Sequence, residues 1–466
     1  MLTLQVIIWV LALSILPFVC TIWLLRKVLR RRRPPLAPPG RHVAFFHPYC
    51  NAGGGGERVL WTAICALAER YPHHALTVYT GDAEPDDVIV QRALTRFGLH
   101  LPPAVRFVRL RSRWLLEPTL YPVLTLLGQA LGSVLVGLEA LLRFLPDVYI
   151  DSMGYGFTLP VFGALGGCRV ACYVHYPTIS DDMLQAVTSG QRAFNNRAQY
   201  ARRASLRRLK LYYYRLFALA YRIVGRAAHV VLVNSSWTRG HVEAVWRRPE
   251  RVRTVYPPCD LGRLRQVPLA GPRTRSVLSV AQFRPEKDHM LQLLSFALLM
   301  KQYASEMTDL KLLLVGGCRD AGDKARVEAL KESARELGIL DQVEFHINVS
   351  FDELLELYGR ALVGIHTMKN EHFGIGIVEM MAAGVVVVAH CSGGPLLDIV
   401  DTSEAGRTGY LAATEEQYAR CVHQIVTADE HQLMGIRTRA RQSCARFGQK
   451  PFEEGFLRGC QKLLEP

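Results

Sequence analysis

The chain has 466 residues, of which 50% are hydrophobic and 21% charged, a composition that excludes both a disordered protein and a transporter with many membrane spans. Its net charge of +15 comes from two stretches without acidic residues, residues 1–56 with seven Lys and Arg and residues 183–242 with eleven. The remainder carries 38 basic and 41 acidic residues and is nearly neutral. This distribution argues against a nucleic-acid partner and predicts one positively charged face.

The first 25 residues contain no charged side chain and are long enough to span a bilayer. Positive charges begin directly after them at Arg26, whereas a cleaved secretory signal has its positive residues first. We therefore predict a transmembrane anchor over residues 1–25 and a basic, proline-rich linker over residues 26–40. The positive-inside tendency places the rest of the chain in the cytosol. The alternative is an uncleaved helix buried in a protein core.

A second run without charge, residues 118–138, is also apolar enough to be considered as a span. Strand-like segments lie on both sides of it, so a span here would divide one sheet between two compartments. Gly128, Gly132 and Pro122 also disfavour a long helix. We predict that this segment is a buried or surface-lying helix.

Short apolar runs alternate with helical periodicity after the linker, which predicts an α/β fold with parallel sheets. We predict an N-terminal Rossmann-like domain over residues 41–256 and a C-terminal one over residues 275–450. Residues 257–274 read as a linker between them, and residues 451–466 as a C-terminal helix that could pack across both halves. Such domains bind ligands at the carboxyl ends of their strands, so a site in the cleft between them is expected.

Four consecutive glycines, Gly53, Gly54, Gly55 and Gly56, lie between the first predicted strand and a helix. Glycines at this position let backbone N–H groups approach a phosphate or a sugar closely. No Gly-Lys-Ser/Thr follows and no acidic residue ends the second strand, so the run is neither a P-loop nor a full dinucleotide fingerprint. A simple tight turn is the alternative.

The strongest signal is a pair of carboxylates, Glu371 and Glu379, eight residues apart and directly after a predicted strand. Eight residues are a little over two helical turns, which puts Glu379 on a helix that begins near Phe373, Gly374 and Ile375. The N–H groups at that helix end can receive a diphosphate. Glu371 would then face the attached sugar, and Glu379 could accept hydrogen bonds from a ribose. The alternative is two surface glutamates that flank a loop.

This Glu-x7-Glu element resembles that of the retaining GT-B glycosyltransferases, which use nucleotide-diphospho-sugars. The run from Ala281 to Lys287, Ala-Gln-Phe-Arg-Pro-Glu-Lys, resembles their Gly-Arg-x-x-Pro-Glu-Lys phosphate loop. Lys287 matches the family lysine, whereas Gln282 stands where the family has arginine, and Arg284 is a candidate substitute. The segments Asn234-Ser-Ser-Trp-Thr and Ser392-Gly-Gly-Pro-Leu-Leu-Asp also resemble parts of this family, so the resemblance covers nearly all of the chain after Arg41.

The resemblance implies a GT-B fold with an acceptor-binding N-terminal domain and a donor-binding C-terminal domain. It implies that Glu371, Lys287 and His175 are catalytic, since His175 ends a strand where the family places a histidine near the transferred sugar. A satisfied core histidine is the alternative for His175. No Asp-x-Asp pair occurs at a suitable place, so neither a metal ion nor another cofactor is expected.

Three features narrow the match: the predicted anchor, the loop Gln-Phe-Arg-Pro-Glu-Lys, and the run that starts at His47, His-Pro-Tyr-Cys-Asn-Ala-Gly-Gly-Gly-Gly-Glu-Arg-Val. Together they are most similar to the mannosyltransferases of the endoplasmic reticulum that act on dolichol-linked oligosaccharides. That similarity implies GDP-mannose as the donor and a dolichyl-diphosphate oligosaccharide as the acceptor. It also implies addition of the fourth and fifth mannoses on the cytosolic face of the membrane, with other mannosyltransferases of the pathway as possible partners.

A basic stripe agrees with a lipid-linked acceptor. Arg208, Arg215 and Arg222 recur every seven residues, and Tyr212, Phe217 and Leu219 lie between them. Such an amphipathic helix suits anionic lipid headgroups or a lipid diphosphate, and a merely solvated basic face is the alternative.

Three other functions stay open at this stage. A related transferase could use a different sugar nucleotide, such as UDP-N-acetylglucosamine, for a lipid-linked acceptor. The chain could also be a non-catalytic membrane scaffold with the same fold. A dinucleotide-dependent oxidoreductase is disfavoured because the acidic residue that would hold a ribose is missing from the second strand.

Overall fold

The computed structural model describes residue 17, residues 19–180, residue 183 and residues 204–465. Most of the predicted anchor, residues 1–25, and the first part of the basic stretch, residues 183–242, therefore lie outside the described residues. Of the residues that precede the first strand, 19–31 are helical.

A parallel sheet of seven strands forms the N-terminal domain, in the order β3-β2-β1-β4-β5-β6-β7. Its strands are β1 His42–Phe46, β2 Ala75–Thr80, β3 Arg106–Arg109, β4 Val148–Asp151, β5 Arg169–Val174, β6 Val230–Val233 and β7 Val252–Thr254. All five residues of β1 are buried, because helices cover both faces of the sheet. The helices are α1 Gly55–Arg70, α2 Asp86–Phe97, α3 Thr125–Arg143, α4 Ala204–Gly225 and α5 Ser236–Trp246.

A second parallel sheet, of six strands in the order β10-β9-β8-β11-β12-β13, forms the C-terminal domain. Its strands are β8 Thr274–Val280, β9 Lys311–Gly316, β10 Val343–Ile347, β11 Ala361–His366, β12 Val386–His390 and β13 Gly409–Ala412. The helices from the predicted linker onward are α6 Gly262–Gln266, α7 His289–Gln302, α8 Ala321–Glu336, α9 Phe351–Arg360, α10 Ile375–Ala382, α11 Glu415–Val426, α12 Glu430–Ser443 and α13 Gln449–Leu464. The two parallel sheets confirm the predicted α/β fold class.

The apolar helix α3 lies on the surface of the N-terminal sheet. Among the described residues it is the one helix with the length and composition of a membrane span. It connects β3 to β4, which belong to the same sheet, and it buries Val136 and Ala140 in the core. Its opposite face exposes Leu131 and Leu135. The segment predicted as a buried or surface-lying helix is thus a surface helix. The argument that Gly128 and Gly132 disfavour a long helix was wrong, since both lie within its 19 residues.

The C-terminal helix α13 returns to the N-terminal domain instead of bridging the two halves evenly. It packs against α1, β5 and β6, and Phe456 stacks on Phe45 of β1 with the ring centroids 6.4 Å apart. Arg169 donates hydrogen bonds to backbone carbonyls at the end of α13. Because the chain crosses between domains twice, before β8 and before α13, the cleft is fixed by two connections.

Candidate active site

Glu371 lies between two basic side chains at the carboxyl edge of the C-terminal sheet. Lys287 Nζ is 2.6 Å from Glu371 Oε2, and His366 Nε2 is 3.2 Å from the same oxygen. Burial raises the pKa of Glu371, but the hydrogen bond from His366 and the charge of Lys287 outweigh it and hold this pKa well below its ordinary value. Glu371 is therefore an ionised carboxylate at neutral pH. Lys287 follows β8 and His366 ends β11, so the pairing of these adjacent strands builds the cluster.

The backbone around Glu371 is held by the loop after β12. The N–H of Gly394 donates to the carbonyl of Glu371 at 2.8 Å, and the N–H of Asn370 donates to Ser392 Oγ at 2.7 Å. Gly393 has a φ of +63°, and a Cβ there would overlap the carbonyl oxygen of Glu371. This loop needs a glycine both for its left-handed backbone and for its close approach to Glu371.

Helix α10 begins at Ile375 after Gly374, which has a φ of +115°, so the predicted position of the helix is confirmed. Glu379 on α10 accepts a hydrogen bond from the hydroxyl of Tyr358 at 3.4 Å. Burial raises the pKa of Glu379 to about 7, although the charge of Arg58 opposes this shift. The ring of Phe373 is buried against Tyr256 and Phe447, so Phe373 can face a ligand only through its backbone.

The glycine run of the N-terminal domain faces this helix across the cleft. A Cβ at Gly55 would lie 3.0 Å from Cδ1 of Ile375, and one at Gly56 would lie 3.7 Å from Nε2 of His175. Gly53 has a φ of +78°, and Gly54 donates its N–H to the carboxylate of Glu57. The structure thus brings the glycine run, His175 and the start of α10 together.

Buried polar groups hold His175, among them His47 and Glu57, which the sequence analysis places in a family-like run without a role. Its Nε2 lies 3.1 Å from the carbonyl oxygen of Ser152, which can only accept, so Nε2 carries the proton. Burial and then the charge of His47 lower the pKa of His175 to about 4, so the ring is neutral at physiological pH. His47 contacts Ser152 Oγ at 2.9 Å and Glu57 at 3.4 Å. The available signal was position, since His47 follows β1 and Glu57 follows the glycine run.

The two family-like segments that start at residues 234 and 392 meet at the domain interface. Asp398 Oδ2 accepts the N–H of Ser236 at the start of α5, and Asp398 Oδ1 accepts the hydroxyl of Tyr256, both at 2.9 Å. Nearby, the rings of Tyr176 and His372 lie 4.2 Å apart, one from each domain. None of these contacts follows from a local sequence pattern.

Arg284 lies in the same loop as Lys287, whose N–H donates to the carbonyl of Arg284 at 3.1 Å. Arg284 is 3.8 Å from Glu286, and both side chains are partly exposed. Arg208, Arg215 and Arg222 lie on α4, where Arg222 donates to the carbonyl of Val245. Among the contacts of the described residues, none joins these three arginines to Glu371, Lys287 or His175.

We expect Gly393→Ala to lower the free energy of unfolding by about 3 kcal/mol, because it adds a steric clash with Glu371 to a left-handed backbone. Gly338→Ala is the matched control. Gly338 has a similar φ of +70° but open space around a Cβ, so about 1 kcal/mol is expected. Urea unfolding monitored by fluorescence measures both, and equal losses in the two variants would contradict the steric argument.

Comparison with known proteins agrees with this geometry. A family model described as the ALG11 mannosyltransferase N-terminus matches residues 40–246, and one described as glycosyl transferases group 1 matches residues 263–442. The structure of sucrose-phosphate synthase from Thermosynechococcus elongatus superimposes with a TM-score of 0.63 at 19% identity, covering 91% of this chain and 99% of that one. This likeness shows the GT-B fold.

Curated relatives match over almost the whole length. The Mus musculus protein named GDP-Man:Man(3)GlcNAc(2)-PP-Dol alpha-1,2-mannosyltransferase is 49% identical over 453 residues, which are 95% of this chain and 92% of the relative. The protein of the same name from Caenorhabditis elegans is 43% identical over 430 residues, 91% of each chain. The chain is therefore a glycosyltransferase, and it belongs to the family of the GDP-Man:Man(3)GlcNAc(2)-PP-Dol alpha-1,2-mannosyltransferases.

Proposed function

We propose that this chain transfers mannose from GDP-mannose, in α-1,2 linkage, to a dolichyl-diphosphate-linked oligosaccharide that carries three mannoses. It adds the fourth and fifth mannoses and so serves protein N-glycosylation. The observation that carries this proposal is the cluster of Glu371, Lys287 and His366 opposite the glycine run and His175. The names of the relatives supply the donor and the acceptor.

The C-terminal domain provides the field that a departing nucleoside diphosphate requires. Lys287 and the N-terminal N–H groups of α10 place positive charge where the negative charge of the leaving group develops. Glu371 keeps an ionised carboxylate beside them, which orients the sugar and stabilises positive charge on its anomeric carbon. Because Lys287 and His366 fix this carboxylate, it needs little reorganisation during transfer.

The N-terminal domain orients the acceptor hydroxyl. In a retaining transfer, the bond between the anomeric carbon and the diphosphate oxygen breaks, and the acceptor oxygen bonds to that carbon on the same face. The departing diphosphate oxygen takes the proton of the hydroxyl. His175 commits its Nε2 proton to Ser152, so its Nδ1 is the ring atom that can accept a hydrogen bond from a sugar. This mechanism uses no metal ion.

Two alternative functions would require different features of the site. A transferase for UDP-N-acetylglucosamine would use the same charge cluster with another base and sugar. A scaffold without activity would need neither the ionised Glu371 nor its two basic partners, which are costly to bury unless they are used.

The test is to incubate the detergent-solubilised full chain with GDP-mannose and a lipid-diphosphate oligosaccharide of three mannoses and two N-acetylglucosamines. We expect mass spectrometry to show a gain of two hexoses, with and without EDTA, and an α-1,2-mannosidase to remove both. Glu371→Gln should stay folded and lose at least about a hundredfold in rate, since it removes a charge used in the transition state. Glu404→Gln, on an exposed turn, is the control. A gain with UDP-N-acetylglucosamine instead would contradict the donor, and no gain with either would favour the scaffold.

We further propose that the chain is held at the endoplasmic-reticulum membrane by a single N-terminal span, with the catalytic body in the cytosol. One surface of the N-terminal domain supports this position. Large apolar side chains are exposed on α3 (Leu127, Leu131, Leu135 and Leu142), on α4 (Leu209, Tyr212, Leu216, Leu219 and Ile223) and on the helical residues 19–31 (Val19, Trp23, Leu24 and Val28).

The basic stripe runs beside the apolar stripe of α4. Arg208, Arg215 and Arg222 each immediately precede an exposed apolar residue, Leu209, Leu216 and Ile223. Of the three interleaved residues that the sequence analysis named, Tyr212 and Leu219 are exposed and Phe217 is buried in the core. Helices α3 and α4 are neighbours, since Tyr213 Oη accepts the N–H of Leu127 at 3.0 Å. Adjacent apolar and cationic stripes suit the headgroup region of a bilayer with anionic lipids.

We expect the double variant Leu131→Glu/Leu216→Glu to raise KM for a long-chain lipid acceptor in vesicles about tenfold. The reason is that it replaces two apolar side chains that the bilayer would bury. A short-chain, water-soluble acceptor should be used as well by this variant as by the parent. Phe351→Glu, at an exposed phenylalanine of the C-terminal domain, is the control. Equal losses on both acceptors would show that the variant damages the domain and not its contact with lipid.

The raised pKa of Glu379 predicts the pH dependence of donor binding. A carboxylate can accept two ribose hydroxyls, whereas the protonated acid loses part of that capacity. With its pKa raised to about 7, Glu379 gains a proton as the pH falls, so we expect KM for GDP-mannose to rise between pH 8 and about pH 6. Glu379→Gln should raise KM throughout and flatten the profile. An unchanged profile in this variant would remove Glu379 from donor binding.

A further inference from the structure

The phosphate loop has Gln282 where the family has an arginine, but the side chain of another arginine lies beside Gln282. Arg319, in the loop between β9 and α8, donates from its guanidinium to Oε1 of Gln282 at 2.6 Å. Gln282 stands where the related glycosyltransferases have the arginine of their phosphate loop. An arginine from a different strand loop therefore reaches the position from which the family arginine has been lost.

Backbone contacts fix the loop that carries Arg319. Asn348, which follows β10, binds the backbone of Cys318 with its side-chain amide. It accepts the N–H of Cys318 at 2.9 Å and donates to the carbonyl of Cys318 at 3.4 Å. The N–H of Arg319 itself donates to Asp323 at 3.1 Å. Gly316 lies so close to Ala281 that a Cβ would overlap the carbonyl oxygen of Ala281. The loops after β8 and β9 thus pack against each other, and Arg319 lies at this edge.

The charges on this edge distinguish Arg319 from its neighbours. Lys287 is paired with Glu371 at 2.6 Å, and Arg284 lies 3.8 Å from Glu286. The guanidinium of Arg319 binds a neutral amide, and no ion pair within the described part of the chain includes it. Arg319 is exposed, and the remaining N–H groups of its guanidinium form a planar fork that matches phosphate oxygens.

We infer that Arg319, positioned by Gln282, binds the diphosphate of the nucleoside-diphosphate sugar and replaces the family arginine of the phosphate loop. The guanidinium of Arg284 faces Glu286 at 3.8 Å, whereas that of Arg319 reaches Gln282 at 2.6 Å, so Arg319 and not Arg284 stands at the family position. The inference rests on the proposed function in one respect, that the donor carries a diphosphate. It does not depend on which base and sugar the donor has.

Calorimetric titration of the full chain with GDP and with GMP tests this assignment, since the two ligands differ by the second phosphate. We expect Arg319→Ala to raise Kd for GDP about tenfold or more, the effect of losing a charged hydrogen-bond partner, and Kd for GMP by less than about threefold. The double variant Q282R/R319A, which returns the arginine to the family position, should bind GDP within about threefold of the parent. Arg319→Lys, which keeps the charge but not the fork, should fall between them.

Three results would overturn the assignment: GDP affinity unchanged in Arg319→Ala, equal weakening of GDP and GMP, or the selective loss of GDP affinity in Arg284→Ala instead. Arg335→Ala, which removes an exposed charge from the far end of α8, controls for net charge. If Arg319→Ala does not fold, Arg319→Lys still decides the question, because it keeps the charge and removes the fork. If the parent prefers UDP to GDP, the proposed donor fails, and the same comparison is then made with UDP and UMP.

Discussion

The ionised carboxylate of Glu371, held between Lys287 and His366, is the interaction on which the rest of the cleft depends. A buried charge of this kind is stable only where its partners are fixed, because removing one of them leaves an uncompensated charge in a medium of low polarity. Both partners come from the carboxyl ends of adjacent parallel strands, and the loop around Gly393 holds the backbone of Glu371. The sheet therefore performs the preorganisation that sugar transfer requires.

Two contacts join the two domains at the cleft. Glycines 53–56 lack side chains, and a Cβ at Gly55 would lie 3.0 Å from Cδ1 of Ile375. Asp398 joins the domains at a second point by accepting from Ser236 and Tyr256. The glycine backbone leaves space for a sugar in the cleft, and the contacts of Asp398 keep the two domains aligned when the sugar binds.

Local patterns in the sequence predict most of the fold and part of the site. Buried parallel strands are continuous apolar runs, so most of them can be recognised in the sequence. The exceptions are β7, which has three residues with Arg253 at its centre, and β13. Glu371, Glu379 and Lys287 were predicted from spacing and resemblance. His366, Asp398 and the contact between Tyr176 and His372 were missed, because they depend on how two distant segments dock and no short-range periodicity records that.

The departure at Gln282 shows what a structure adds to a motif. In sequence, the nearest replacement for the missing arginine is Arg284, two residues away. In the fold, the relevant neighbour is 37 residues away, because β8 and β9 are paired and their loops leave the sheet at the same edge. The side chain of Arg284 faces Glu286, whereas that of Arg319 meets Gln282. A positive charge that the diphosphate site requires can thus come from a different strand loop while the geometry of the site is kept. A comparison of linear motifs shows only that the arginine is missing.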